Sequence, residues 1–261
     1  MHSIPHQISQ HKLQDSIYEI DGVYFPIDSS WSKISISISG GADSALLSYL
    51  LCKTIKEQNL KIDIHIISNV RMWKTRPWQR FNSIDVFNWL SNNFPSLRFI
   101  RHEHFIPPEI EYGRIGPLIE DSFGQMKSGD QISTRSYAEY ICYTNNINAW
   151  FAGITKNPPE DFSSDGMNDR NVDELEDLNS VIIDHQGICM CHPFKYKTKD
   201  WILKHYVENN ILDLFHLTRS CEGEFDLIDY RNYKQGQIVP TCEKCFWCRE
   251  RNWALSKICT K

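Results

Sequence analysis

The sequence predicts an α/β fold: a mostly parallel β-sheet flanked by helices, closed by a C-terminal segment organised around cysteines. Three observations predict it. Short apolar runs with strand periodicity alternate with longer runs of helical periodicity between residues 34 and 208. A glycine-rich turn joins the first of these strands to the first of these helices. Three of the nine cysteines fall within seven residues, at Cys242, Cys245 and Cys248.

Residues 1–15 are polar and read as a lead-in. Residues 17–27 alternate around Asp21-Gly22, a hairpin turn dipeptide. Ile34-Ser35-Ile36-Ser37-Ile38 alternates strictly and predicts a strand. The helix after the glycine turn places Leu46, Leu47, Leu50, Leu51 and Ile55 on one broad face. Residues 62–67 then predict a strand, and 78–90 a helix with Phe81, Ile84, Phe87 and Leu90 facing inward. Residues 97–100 predict a short strand, 133–147 a helix and 149–152 a strand. The Pro-, Asp-, Asn- and Glu-rich stretch 156–179 predicts a mobile acidic loop. Residues 181–191 return toward the sheet, 198–208 predict a helix, and the chain closes in a helix over about 248–258. The organisation expected is an N-terminal extension with a hairpin (1–32), a nucleotide-binding α/β domain (33–215) and a metal-binding segment (216–261).

Composition bounds the function. A chain of 261 residues buries a core without needing disulfides. A formal net charge of −5 argues against a broad electrostatic grip on nucleic acid. The opening Met1-His2-Ser3-Ile4-Pro5-His6-Gln7 lacks the basic-then-apolar plan of a secretory leader, and the apolar run 45–52 is too short to span a bilayer. A soluble, cytoplasmic protein without a membrane partner is expected. In a reducing compartment, clustered cysteines point to metal before disulfides.

Ser39-Gly40-Gly41-Ala42-Asp43-Ser44 lies between the first parallel strand and its helix. Two glycines let the backbone turn sharply and bring its N–H groups to an anion, and the helix N-terminus adds partial positive charge. Ser39 and Ser44 offer hydroxyl donors. Asp43 repels phosphate and suits Mg²⁺ that bridges phosphates. The competing reading is an ordinary strand-to-helix turn that Asp43 caps. The lysine-bearing Gly-x-x-x-x-Gly-Lys loop is absent.

Cys242-Glu-Lys-Cys245-Phe-Trp-Cys248 gives two overlapping Cys-x-x-Cys spacings, which let thiolates converge on one tetrahedral ion. Cys221, twenty intervening residues upstream, is the natural fourth ligand of a closed Zn²⁺ site. His192 and His216 are rival ligands. Such zinc would tie residues 222–241 and the final helix to the body. The bland alternative is reduced cysteines packed as small hydrophobes, which suits Cys52, Cys142 and Cys259, each standing alone, and Cys189 and Cys191 on one strand face.

The hexapeptide 39–44 in its strand–turn–helix setting resembles the signature of the PP-loop ATP pyrophosphatases. Further segments resemble one branch, the 7-cyano-7-deazaguanine synthases of queuosine precursor synthesis. Thr134-Arg135-Ser136 resembles that family's Arg-bearing helix start, and Ala152-Gly153-Ile154 the strand end before its substrate loop. His192-Pro193-Phe194 with Thr198-Lys199-Asp200-Trp201-Ile202, Thr218-Arg219-Ser220-Cys221, and Cys242, Cys245, Cys248, Arg251 and Ala254 resemble its later motifs in order. The likeness runs with gaps from about Ile34 to Leu255. It departs in the wording after Gly153, in a longer gap between Cys221 and Cys242, and in the basic-aromatic stretch of Arg71, Trp73, Arg76, Trp78 and Arg80.

The resemblance implies an adenine-nucleotide α-hydrolase-like, Rossmann-like fold that uses ATP, Mg²⁺ and Zn²⁺. It implies that ATP adenylates a small-molecule carboxylate, 7-carboxy-7-deazaguanine, with release of pyrophosphate. Ammonia then displaces AMP to give an amide, and a second ATP activates the amide for dehydration to the nitrile. Asp43, Arg135 and Lys199 are the candidates for catalysis, since Arg offers phosphate or carboxylate a planar fork and Lys a point charge. The bland alternative for either cation is a surface ion pair. Other classes remain in play: a PP-loop tRNA-modifying enzyme of thiolation or lysidine type, or a non-catalytic ATP- and zinc-binding module. A homodimer is left open.

Overall fold

Asp21 and Gly22 both take left-handed backbone conformations, with φ of 47° and 69°. They join β1 (Ile17–Ile20) to β2 (Val23–Pro26) as an antiparallel hairpin, the geometry that Asp-Gly adopts at least cost. The computed structural model describes residues 17–71, 78–106, 119–120, 126–127, 129–158, 181–183, 188–221 and 241–259.

The central sheet contains β3 (Lys33–Ser37), β4 (Asp63–Arg71), β5 (Phe99–Ile106), β8 (Ala149–Ala152), β9 (Val181–Ile183) and β10 (Cys189–Cys191). A separate antiparallel pair joins β6 (Ile119–Glu120) to β7 (Met126–Lys127). The sheet order is β5-β4-β3-β8-β10-β9. Neighbours from β5 to β10 are parallel, and β9 joins the edge antiparallel. The chain steps outward from β3 through β4 to β5, then returns to the other side of β3 with β8. The strand order therefore reverses between β3 and β8, and such a reversal leaves a crevice at the carboxyl ends where α/β folds bind ligands.

Helices cover both faces: α1 (Ala42–Glu57), α2 (Gln79–Asn93), α3 (Gly129–Asn145), α4 (Lys199–Glu208), α5 (Leu212–His216) and α6 (Phe246–Cys259). The two-residue strand period sorts the core. Ile34, Ile36, Ile64, Ile66 and Phe151 pack with Leu46, Leu47, Leu50 and Leu51 of α1, and with buried residues of α2, α4, α5 and α6. Each of those leucines contributes about 1.5–3 kcal/mol by leaving water. On the other face Ile67, Trp150 and Met190 pack under Ala138, Ile141 and Cys142 of α3. Cys52, Cys142, Cys189 and Cys191 are buried and reduced.

Several elements differ from expectation. β5 extends to Ile106, well past the apolar run, because its polar residues find partners on neighbouring elements. His102 pairs with His65 of β4 at 2.9 Å, Glu103 takes Arg80 and Arg101, and His104 stacks on Tyr137. In α2 the fully buried positions are Gln79, Ser83, Val86 and Leu90, while Phe81, Ile84 and Phe87 are half-buried. The helix turns its small Ser83 inward because the glycine loop passes there. A Cβ on Gly40 would stand 2.8 Å from Asn82 Cβ and 3.1 Å from the Ser83 nitrogen. α3 begins at Gly129, so Thr134-Arg135-Ser136 lies in its second turn and does not open it. The acidic stretch 156–179 lies outside the described residues from 159 onward, as do 72–77 and 222–240.

Candidate active site and metal centre

The glycine loop lies at the carboxyl end of β3, on the crevice made by the strand reversal. Gly40 has φ +74°, a conformation that side chains rarely adopt. Its carbonyl accepts a 2.7 Å bond from the Arg219 amide. The loop is knitted by its own hydroxyls. Ser44 donates to the Gly41 carbonyl at 3.1 Å and accepts from the Ser39 amide at 3.2 Å, and the Gly41 amide donates to the Ser39 hydroxyl at 3.3 Å. Gly41 precedes α1 without any side-chain cap. The first-turn amides therefore face the crevice uncapped, as anion binding at a helix start requires.

Two further walls close on the loop. Gly153, just past β8, passes so near that a Cβ would lie 2.8 Å from the Ser44 nitrogen and 2.9 Å from the Asp43 carbonyl carbon. From α4, the buried Tyr206 hydroxyl donates to the Ala42 carbonyl at 2.7 Å, which fixes the first residue of α1. Burial raises the Tyr206 phenol well above its usual range, so it remains a donor.

Lys199 begins α4, and its Nζ meets Asp43 Oδ2 at 2.5 Å. The lysine side chain is 3% exposed. Thr155 also donates to Asp43 Oδ2, at 3.5 Å. The other oxygen, Oδ1, is buried without a hydrogen-bond partner among the described residues. A buried carboxylate oxygen without a donor fits a cation ligand, so the residues present fit Mg²⁺ at Asp43. Asp43 and Lys199, far apart in sequence, are thus brought together. Arg135 is held by Glu139 at 2.7 Å and contacts Met190 Sδ at 3.7 Å, over the second core cluster.

The cysteines form the second centre. Ligand atoms of Cys221, Cys242, Cys245 and Cys248 all lie within 4.8 Å of one another, and Cys242 Sγ stands 3.9 Å from Cys248 Sγ. Sulfurs at 2.3 Å around one tetrahedral ion are about 3.8 Å apart, so the donor set fits a single ion. A cubane cluster gives each thiolate its own iron and spreads the sulfurs further. The amides of Cys242 and Cys245 donate to the sulfurs of Cys221 and Cys242, both at 3.3 Å. Hydrogen bonding with Cys221 and Cys245, added to burial, pushes the Cys248 thiol up; a dication among the sulfurs inverts that balance. His192 and His216 are not among these ligands. Asp21, His205 and Glu208 also converge, but Lys204 lies 3.4 Å from both carboxylates and supplies the positive charge there.

The two centres share a wall. Trp78 packs with Cys221 and Cys248, and the Arg219 guanidinium lies 4.3 Å over its ring. Ser220, beside Cys221, places its hydroxyl where a Cβ on Gly41 would be 3.1 Å away. Arg251 of α6 donates to the Thr218 carbonyl at 3.1 Å and stacks on Phe215 at 4.0 Å. Trp78 belongs to the basic-aromatic stretch noted in the sequence; Tyr206 and Thr155 carry no sequence signal of their own. Only their place beside a motif residue could have suggested them.

No family model matches the chain, and no curated protein matches it. Among solved structures it is similar to the U34-tRNA thiolase NcsA from Methanococcus maripaludis with its 4Fe-4S cluster, at 14% identity and TM-score 0.45, over 77% of this chain and 62% of that one. It is also similar to a phosphoadenylyl-sulfate reductase from Candida auris in a phosphate complex, at 13% identity and TM-score 0.39, over 76% and 83%. The chain thus spans less than two thirds of the thiolase's length. At these values the chemistry of the site rests on this chain's own residues. No helix among the described residues is long and apolar enough to cross a membrane.

Proposed function

We propose that the chain is an ATP-using PP-loop enzyme that joins AMP to an acceptor carboxylate and releases pyrophosphate. The observation that carries this reading is Asp43. It stands at the start of α1, at the strand reversal, with one carboxylate oxygen on Lys199 and the other buried without a hydrogen-bond partner among the described residues. An ordinary turn needs neither a buried lysine nor an unsatisfied carboxylate oxygen beside uncapped amides.

In this reading the amides of residues 40–44 hold the diphosphate end of ATP, and Asp43 would hold Mg²⁺, which would supply positive charge for the departing pyrophosphate. The acceptor carboxylate oxygen attacks the α-phosphorus, and the bond to the bridging oxygen of pyrophosphate breaks. Lys199 supplies fixed positive charge beside the loop. Arg135 is the proposed partner of the acceptor carboxylate, released from Glu139 when substrate binds. Cys221, Cys242, Cys245 and Cys248 would hold zinc in a closed, structural site that anchors α6.

The finer reading follows the family resemblance. The carboxylate is that of 7-carboxy-7-deazaguanine. Ammonia attacks the acyl carbon, AMP leaves, and the amide forms with loss of a proton. A second ATP adenylates the amide oxygen with release of a second pyrophosphate, and departure of AMP with loss of two protons leaves the nitrile. The test is mass spectrometry of products from ATP, ammonia and a panel of deazaguanine acids. AMP, pyrophosphate and a nitrile are expected. ADP would contradict the mechanism, and salt-sensitive turnover on tRNA alone would move the acceptor to nucleic acid.

A further inference from the structure

Glu250 lies two residues past Cys248 on α6 and is fully buried. Its Oε2 stands 3.7 Å from Lys199 Nζ, the same ammonium that meets Asp43 Oδ2 at 2.5 Å. One buried cation thus faces two carboxylates, and the formal charge of the trio is −1 + 1 − 1 = −1. Glu250 is fully buried and the Lys199 side chain is 3% exposed, so water screens the charges between them little.

The arrangement matters because Asp43 has two claimants. On the reading that residues 39–44 seat ATP with magnesium, Asp43 must accept Mg²⁺ while Lys199 stays charged nearby. With Asp43 alone, the ammonium would neutralise the carboxylate that the metal needs. A second carboxylate beside the ammonium eases that conflict. We propose that Glu250 is a positioning residue that compensates Lys199, leaving Asp43 free to take magnesium. The proposal also explains why a metal-bound segment packs here. Cys248 lies in the first turn of α6, and Glu250, two residues on, opens the next turn beside Lys199.

The test uses the full chain and α,β-methylene-ATP, a probe that needs no acceptor. Nucleotide binding is titrated across magnesium concentrations by calorimetry, with bound metal counted in parallel. Glu250→Gln is expected to raise the magnesium half-saturation on the order of tenfold, as for coupled neighbouring charges, with the cysteine-bound metal unchanged. Glu250→Asp retracts the carboxylate by one methylene, and a rise of roughly threefold is expected from the weaker coupling. A merely structural Glu250 would lower thermal stability and leave the magnesium dependence where it is in wild type; that result overturns the proposal. Should Glu250→Gln fail to fold, Glu250→Asp decides alone, and a wild-type magnesium half-saturation in it is equally fatal. If wild type binds no nucleotide, the ATP reading falls and this proposal with it. Wild-type binding with an unmoved half-saturation overturns Glu250 only.

Discussion

The cysteine centre and the glycine-loop site sit against one another but are specified in opposite ways. Three of the four cysteines are supplied by one short turn and the first turn of α6. The loop site takes Gly40 and Asp43 after β3, Gly153 after β8, and Lys199 and Tyr206 from α4. The first centre is a local ligand set with one distant member; the second exists only once the sheet has ordered. Stability should therefore concentrate at the cysteines, and binding specificity at the loop.

The largest effect expected is from the metal centre. Cys245→Ser, or chelation of the wild type, should lower Tm by roughly 10 °C or more, because a metal held by these four cysteines would be coupled to folding. Thermal melts with and without chelator check this. A melt unmoved by both would erase the contrast between the two centres.

Lys199→Met comes next. It leaves Asp43 and Glu250 without their shared cation and should cost about 3–5 kcal/mol in denaturant melts. Gly40→Ala forces a side chain into a left-handed backbone 2.8 Å from Asn82 Cβ. It should cost roughly 2 kcal/mol and abolish measurable nucleotide binding, while the bound metal stays. That split, with binding lost and metal kept, sharpens the comparison most. Tyr206→Phe removes only the bond to the Ala42 carbonyl, with an expected cost of about 1 kcal/mol by the same melts.

A pH-dependent effect lies away from both centres. Burial and the neighbouring His102 push the His65 imidazole down to about 4 from 6.5. The unfolded chain then binds the proton more readily than the folded one, so stability falls with falling pH. The loss should begin near pH 6.5 and level off near pH 4. A His65→Gln variant should flatten that part of the profile.

Much of this architecture was legible in the sequence, and the exceptions have physical causes. The strict alternation of 34–38 and the leucine face of α1 report burial directly, and the structure places both in the main core. The hexapeptide 39–44 was readable because its chemistry depends on adjacent residues. β5 was half hidden because Arg101, His102, Glu103 and His104 look like surface and are instead paired across strands and helices. The face of α2 was legible in part: Leu90 is buried and Phe87 packs on the core as expected, but a passing loop sets the first turns and buries Ser83 more deeply than Phe81. Lys199 could be suspected from its motif, but its partner Asp43 is 156 residues away and leaves no local trace. Glu250 was invisible, lying between Cys248 and Arg251 in what reads as spacer.

The seat of the nucleotide carries the rest of the account. A crystal structure of the chain with α,β-methylene-ATP and magnesium tests it most directly. The account predicts the β- and γ-phosphates on the amides of residues 40–44, with the cation on Asp43 Oδ1. A triphosphate bound elsewhere while that turn stays bare would contradict it.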